Sequence, residues 1–302
     1  MSNVLKDKLL RVVVGTSLAG AIIFAESAFS AQLPDLTQPV FEGAEVVEFE
    51  SVFYTYPPSP FKVKQAQKLG IELELITEPS IRLTGYLAKP EGEGPFPAVV
   101  FMHGCEGIWE ATEVWSDRLV AWGYVVLSVD SLTPRGEKYI CGRITAANYW
   151  VRVLDAYGAK RYLSTRPFVD PTRIAVMGMG FGGQTVLHII KQSTSTGLDM
   201  RPFRAAVAFY PICGEPEQID TPTLVLIGSA DHWGTWAEDC VRYLDRLPPP
   251  HEMTLKVFPG AHHVFDHPGL DFEDDGAIIR SDPEAAAEAI RMTREFLSER
   301  LE

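Results

Sequence analysis

The stretch that decides the fold is Val176-Met177-Gly178-Met179-Gly180-Phe181-Gly182-Gly183, where an apolar strand pattern passes directly into a helix pattern. Two kinds of site use such a tight, glycine-rich turn. In the nucleophile elbow G-x-S-x-G, the outer glycines let strand and helix pack closely around a strained central residue. In the dinucleotide fingerprint G-x-G-x-x-G, the glycines bring the backbone against a pyrophosphate. Taken alone, the stretch matches the fingerprint better, because Gly180 stands where an elbow carries its serine.

The surrounding strands favour the elbow. A dinucleotide fingerprint normally opens the sheet, and an acidic residue at the end of the next strand holds the ribose. Here at least four strand patterns precede the turn, and the next predicted strand, residues 205–209, ends in Tyr210-Pro211. A dinucleotide site therefore remains only as a minor alternative.

The order of the later motifs also fits an elbow, which is followed along the chain by an acid and then by a histidine. A strand pattern at residues 223–227 runs into a loop that contains Asp231. A second strand pattern, at residues 254–258, runs into a loop with His262 and His263. Three motifs in this order, each at a strand end, are far more specific than any one of them.

With these motifs the chain resembles the dienelactone hydrolase family over about residues 80–300. The resemblance rests on Val99-Val100-Phe101-Met102-His103-Gly104-Cys105, Asp130-Ser131, Arg173-Ile174-Ala175-Val176-Met177-Gly178, Gly228-Ser229-Ala230-Asp231 and Pro259-Gly260-Ala261-His262-His263-Val264-Phe265-Asp266. It implies an α/β-hydrolase fold, with a mainly parallel sheet and helices on both faces. It also implies action on esters or lactones with a Ser or Cys nucleophile and no cofactor.

The resemblance implies a role for each site residue. His263, directly before Val264-Phe265, would be the general base, and Asp231 would orient it. The backbone N–H groups of Cys105 and Phe181 would form the oxyanion hole. The alternatives are a loop acid or helix cap at Asp231 and a surface histidine at His263.

Gly180 has no atom that can attack a carbonyl, so covalent catalysis is not available to the chain as written. Three explanations are open. The chain is a hydrolase relative that kept only a binding pocket, a variant whose nucleophile was replaced, or a slow hydrolase that uses histidine-activated water. A catalytically silent binding or sensing module is therefore the alternative function.

Other side chains are weaker candidates for the site. The guanidinium groups of Arg135 and Arg143 match a substrate carboxylate, although structural bonds to the backbone are the more common use of such an arginine. Trp109 is a candidate pocket wall, as are Trp115 and Trp150, although aromatic side chains more often belong to the core. Glu106 adds a negative charge where this type of loop often has glycine.

The N-terminus predicts export. Basic residues at 6, 8 and 11 precede an apolar stretch at 12–25 and small residues at 28–31, which is typical of a signal peptide covering residues 1–30. A membrane anchor is the alternative, but the stretch is short for ~30 Å of hydrocarbon. We therefore expect a periplasmic or secreted protein without a stable membrane anchor.

Export makes disulfides possible. Four cysteines allow three pairings, and we favour Cys105–Cys141 and Cys213–Cys240 because each pair brackets neighbouring strand-end loops. Buried free thiols are the alternative. The spacing lacks the paired C-x-x-C or H-x-x-x-H patterns of metal sites, so no metal is expected.

Composition limits the architecture and the partners. The 302 residues, 46% of them hydrophobic, suit one domain at 70–302 preceded by an arm at 31–69, where prolines interrupt regular structure. From residue 70 onward, strand and helix patterns alternate, beginning with an expected antiparallel pair at 71–76 and 81–88. The net charge of −13 argues against nucleic acid or an anionic membrane surface as partner. The expected partner is a small ester or lactone.

Overall fold

The computed structural model describes residues 41, 43–56, 60–71, 76–142, 147–274 and 276–302. These residues belong to one compact unit, Leu33–Glu302. The predicted signal peptide lies outside the described residues. Within these ranges, no helix is both long enough and apolar enough to cross a bilayer.

Strands and helices alternate along most of the chain. The strands are β1 (Glu45–Glu50), β2 (Tyr54–Tyr56), β3 (Ile76–Glu78), β4 (Arg82–Ala88), β5 (Phe96–Met102), β6 (Val125–Asp130), β7 (Val169–Met179), β8 (Ala206–Phe209), β9 (Thr223–Gly228), β10 (Met253–Phe258), β11 (Asp271–Asp274) and β12 (Ala277–Arg280). The helices are α1 (Pro60–Leu69), α2 (Glu110–Ala121), α3 (Tyr149–Ser164), α4 (Phe181–Ile189), α5 (Gln192–Gly197), α6 (Ala237–Asp245) and α7 (Pro283–Leu301), with a short 3₁₀ turn at Thr133–Arg135.

The main sheet has eight strands in the order β1-β4-β6-β5-β7-β8-β9-β10. β1, β4 and β6 pair antiparallel, and every pairing from β6 to β10 is parallel. The mainly parallel α/β fold predicted from the sequence is therefore confirmed. In such a sheet, the loops after the carboxyl ends of the strands meet at one edge, where sites are built.

Alternate residues of β5 show how the sheet is buried on both faces. Val100 and Met102 pack into a cluster with α3 and α4, while Val99 and Phe101 pack into a second cluster with α2 and α7. All four side chains are fully buried. A continuous apolar run such as Phe96–Met102 is what a strand covered by helices on both sides requires.

The segment at 31–69 is more regular than the sequence suggests. Its strand β1 forms the edge of the main sheet, with Val47 and Phe49 buried and the alternating glutamates exposed. Helix α1 begins at Pro60, and proline is well tolerated in the first turn because that N–H has no helical partner. Pro60 therefore begins a helix instead of excluding one, and Pro57 and Pro58 lie outside the described residues.

The expected opening pair of strands is wrong in its pairing. β4 pairs with β1 and β6, whereas β3 pairs with β2 in a separate two-stranded sheet. The residues before β3 lie outside the described ranges. A second difference is the β11–β12 hairpin, which the strand and helix patterns of the sequence do not predict.

The two disulfides are the pairings favoured from the sequence, although only the first joins two strand-end loops, because Cys240 lies in helix α6. Cys105 is bonded to Cys141 and Cys213 to Cys240, across 36 and 27 residues respectively. Loops of this length are stabilised by about 3–4 kcal/mol in the chain-entropy model. The first disulfide also fixes the loop that follows β5, next to the turn at Gly180.

Candidate active site

The turn between β7 and α4 has the backbone of a nucleophile elbow. Gly180 has φ 53° and ψ −116°, a conformation that side-chain-bearing residues rarely adopt. Its N–H donates to the carbonyl of Phe209 on the neighbouring strand at 3.0 Å. A conformation that would be strained in any residue with a side chain therefore lies at the position that an elbow uses for its nucleophile.

The outer glycines are required by close packing, and Gly180 is not. A Cβ on Gly178 would overlap the carbonyl of Gly182, and a Cβ on Gly182 would overlap the carbonyls at the end of β5. At Gly180, the nearest atom to an ideal Cβ would be His263 Nε2, at an ordinary 3.6 Å. A side chain would fit at this position and would face the histidine.

His263 and Asp231 form a buried pair. The Nδ1–H of His263 donates to Asp231 Oδ2 at 2.7 Å, because an ionised carboxylate can only accept. Their side chains are 3% and 0% exposed. This bond leaves Nε2 directed at Gly180. His263 therefore lies between the other two positions of the predicted triad and contacts both of them.

The two loops that carry this pair are held in place by their backbones. Asp231 Oδ1 also accepts the backbone N–H of Trp233 at 3.2 Å. Val264, directly after the histidine, has φ +56°, a strained value for a β-branched residue. His262 Nδ1 lies 3.1 Å from the carbonyl of Ala230, which ties that ring to the loop.

Aromatic rings enclose His263 on two sides. The ring centroids of Tyr210 and Trp233 lie 4.6 and 4.9 Å from that of the imidazole. These contacts restrict rotation of the imidazole about its bond to the chain. The orientation of Nε2 toward the elbow is therefore set by packing as well as by Asp231.

The loop after β5 lies against the start of α4. The close approach of Gly182 to the carbonyls of Met102 and His103 places Cys105 beside the first residue of the helix, Phe181. His103 Nε2 accepts the backbone N–H of Ser131 at 3.3 Å. Burial, and then the nearby Arg152, hold the pKa of His103 well below its ordinary value, so this ring is a neutral support of the loop.

Glu106 is part of the site wall, for which the sequence offered no account. Its Oε1 accepts the indole N–H of Trp109 at 2.8 Å. The carboxylate folds back over Gly104, where a Cβ would overlap both of its oxygens. Burial raises the pKa of Glu106, against the attraction of His263 and Arg152. Glycine at position 104 therefore makes room for this acid.

Two cavities meet at Gly180 and His263. The smaller has a volume of about 70 Å³ and is lined by Glu106, Trp109, Tyr139, Cys141, Gly180, Tyr210, Trp233, His263, Val264, Leu270, Phe272, Asp274 and Ile279. The larger, about 570 Å³, lies beside Cys105 and Phe181. Trp109 therefore lines the pocket, which is one of the two positions that the sequence allows for it, the other being the core. Trp115 instead belongs to the core, where it donates to Asp266 at 2.6 Å.

The β11–β12 hairpin covers one side of both cavities. Phe272, Asp274 and Ile279 line the smaller cavity, and Asp274 Oδ2 accepts the indole N–H of Trp233 at 2.8 Å. The sequence signal is the Asp-Gly pair at 275–276, a combination that hairpins favour, followed by the β-branched Ile278 and Ile279. The hairpin therefore adds an apolar wall and a second acid that the motifs did not predict.

Arg135, one of the two predicted arginine ligands, does not reach the described site. Arg135 makes two bonds to the Asp155 carboxylate, at 2.8 and 2.9 Å, and a third to the Ser131 carbonyl at 2.7 Å. Its guanidinium therefore has a structural role, which is the alternative to binding a substrate carboxylate. Arg143 lies outside the described residues.

A metal site was not expected from the sequence. In the described part of the chain, the group with suitable spacing is Cys105, Glu106 and Cys141. The two sulfurs of this group are bonded to each other, so neither is a thiolate that could bind a metal.

Replacing Gly180 by alanine should destabilise the fold. A Cβ fits the space, but the backbone conformation should cost about 1–3 kcal/mol of the free energy of unfolding. Urea denaturation measures this loss. Gly214→Ala is the matched control, since a Cβ there meets no atom within 4 Å and no positive φ opposes it. Equal stability of the two variants would contradict the strain assigned to Gly180.

Known proteins share this sequence pattern and this fold. The family model of the dienelactone hydrolase family matches residues 83–301. A provisionally named hydrolase, YtaP of Bacillus subtilis, is 31% identical over 120 residues, which cover 32% of this chain and 40% of that protein. A provisionally named carboxymethylenebutenolidase of Synechocystis is 24% identical over 276 residues, 77% of this chain and 99% of that one. The present chain thus spans well under two thirds of YtaP.

A solved structure gives the same fold. The dienelactone hydrolase-like promiscuous phosphotriesterase P91, from metagenomic libraries, superposes with a TM-score of 0.63 at 18% identity, covering 86% of this chain and 100% of that chain. At this identity the likeness concerns the fold. The family model covers well over half of the chain, and the chain therefore belongs to the dienelactone hydrolase family.

Proposed function

We propose that this protein binds a small ester or lactone at the junction of the two cavities, on a hydrolase scaffold that lacks its covalent nucleophile. The family supports an ester or lactone hydrolase scaffold. The observation that carries the proposal is Gly180 itself, at the strained centre of the elbow and facing Nε2 of the buried His263. No acyl-enzyme can form there, because glycine offers no attacking atom.

The remaining groups support slow hydrolysis by water. His263 would take a proton from a water molecule held where a serine oxygen would lie, and Asp231 would stabilise the resulting imidazolium. The N–H groups of Cys105 and Phe181 would bind the developing oxyanion. Triad knockouts in other hydrolases retain about 10³–10⁴-fold acceleration over water by such means. We therefore expect impaired activity that is above the background rate.

A silent binding or sensing module is the second candidate, and Gly180 favours it too. The two candidate functions differ in whether His263 still acts as a general base. The buried carboxylate–imidazole pair and the strained backbone at Val264 favour retained chemistry, because both are costly to maintain for binding alone.

We also propose that the chain is exported. The predicted signal peptide at residues 1–30 and the two disulfides support this location, because disulfides persist in oxidising compartments. The net charge of −13 argues against nucleic acid as a partner.

A fluorophosphonate probe tests the central statement, because it labels only an activated nucleophile. We expect no labelling of the chain, and slow hydrolysis of a small activated ester that His263→Ala lowers toward the background rate. Labelling of the unaltered chain would refute the missing nucleophile. Hydrolysis that is unaffected by His263→Ala would leave the binding module as the function.

A further inference from the structure

The smaller cavity is lined by aromatic side chains of the kind that bind cations. Five of its lining residues are aromatic: Trp109, Tyr139, Tyr210, Trp233 and Phe272. Faces of such rings attract ammonium groups, and aromatic cages are the usual way in which proteins recognise quaternary ammonium ligands. An apolar ester group would also be accepted by these walls, so the charges around the cavity must decide between the two.

Those charges are negative. Glu106 and Asp274 both line the smaller cavity, and Asp274 also lines the larger one. Among the described residues that line either cavity, none is lysine or arginine. Arg135 is bound to Asp155. Arg152 attracts Glu106 from behind the wall, but it donates to the carbonyl of His103 and lines neither cavity. A ligand carboxylate would therefore meet repulsion here, whereas a cation would meet attraction.

The acids and the aromatic walls are built as units. The indole N–H of Trp109 holds Glu106 at 2.8 Å, and the indole N–H of Trp233 holds Asp274 at 2.8 Å. Each bond fixes a ring and a carboxylate relative to each other without removing the negative charge. Burial raises the pKa of Glu106, and a cation close to this carboxyl would favour its ionised form.

Size and position agree with a small head group. A volume of about 70 Å³ is several times the ~10–15 Å³ that one water needs, which suits a group of a few heavy atoms. Because Gly180 and His263 line both cavities, a ligand can place this group in the smaller one and its reacting carbonyl at the junction.

We infer that the smaller cavity binds a quaternary-ammonium-like group, so that the ligand of this site is a cationic ester or lactone and not a carboxylate-bearing one. This inference rests on the proposed function for the reacting group, but the cation site itself does not depend on turnover.

Three probes of nearly the same shape test the inference by calorimetry on the purified chain: choline, the neutral 3,3-dimethylbutanol and the anionic 3,3-dimethylbutanoate. We expect choline to bind roughly tenfold or more tightly than the neutral alcohol, and the carboxylate to bind most weakly. Glu106→Gln and Asp274→Asn should each remove most of this preference and leave the affinity for the alcohol unchanged. Glu273→Gln is the matched control, because Glu273 lies on the exposed face of the same strand.

Several results would overturn the inference. These are equal affinities for choline and the alcohol, no binding of any probe, or a choline preference that both acid variants retain. Tightest binding of the carboxylate would also overturn it, and loss of that binding in Arg143→Gln would assign the ligand contact to Arg143. An inactive Gly180→Ser variant that still prefers choline would count against the proposed function alone. An active one without the preference would count against the cation site alone.

Discussion

Replacing Gly180 by serine should create an esterase. The space at this position accepts a Cβ, and an oxygen attached to it would lie within hydrogen-bonding reach of His263 Nε2, since the Cβ itself is 3.6 Å away. The variant would then hold nucleophile, base and acid in contact. We expect kcat/KM for a small activated ester to rise on the order of 10³-fold or more, given what loss of a triad serine costs in other hydrolases. Steady-state kinetics on a panel of nitrophenyl esters measures this gain.

Gly180→Ala is the control for that experiment. It imposes the same backbone strain without an oxygen, so its stability should fall like that of the serine variant while its activity stays at the level of the parent. Fluorophosphonate should label only the serine variant. A serine variant that is folded but no faster than the alanine variant would show that Asp231 and His263 are not a working acid and base.

The sequence predicted those parts of the molecule that strong local constraints determine. A strand covered on both faces must be continuously apolar, as Phe96–Met102 is, and glycines are unavoidable where α4 crosses the end of β5 at Gly182. The order of Gly180, Asp231 and His263 on successive strand ends then identified one edge of the sheet. The structure brings these three positions into contact beyond the carboxyl ends of β7, β9 and β10.

Features that depend on specific side-chain contacts were not predictable. The role of Arg135 is decided by Asp155, twenty residues away on a helix, and no pattern in either segment specifies that pair. The position of Glu106 depends on Trp109 and on the absence of a side chain at residue 104. The pairing of β4 with β1 was not predicted, because the prolines of the segment at 31–69 indicate irregular structure and outweigh the short alternation of buried residues in β1.

Removing the imidazole of His263 from the Gly180→Ser variant should abolish the new activity. Its Nε2 faces the elbow and its Nδ1 is held by Asp231, so no other described group near Gly180 is placed to take the serine proton. We expect His263→Ala to lower kcat by on the order of 10⁴-fold with little change in KM, since a base acts in the transition state and not in binding. Single-turnover kinetics with the same esters separates the two effects.

The adjacent histidine is the matched control, because the sequence alone offers two candidates side by side. Nδ1 of His262 lies 3.1 Å from the Ala230 carbonyl. Loss of this ring should therefore loosen the loop before Asp231 without removing the group that accepts the serine proton. In the Gly180→Ser variant, His262→Ala should therefore lower the melting temperature and reduce kcat by less than about tenfold, as a positioning contact and not a reacting group would. A larger loss in kcat from His262→Ala than from His263→Ala would transfer the role of base to His262. It would also show that the Asp231–His263 bond serves only to join the two loops.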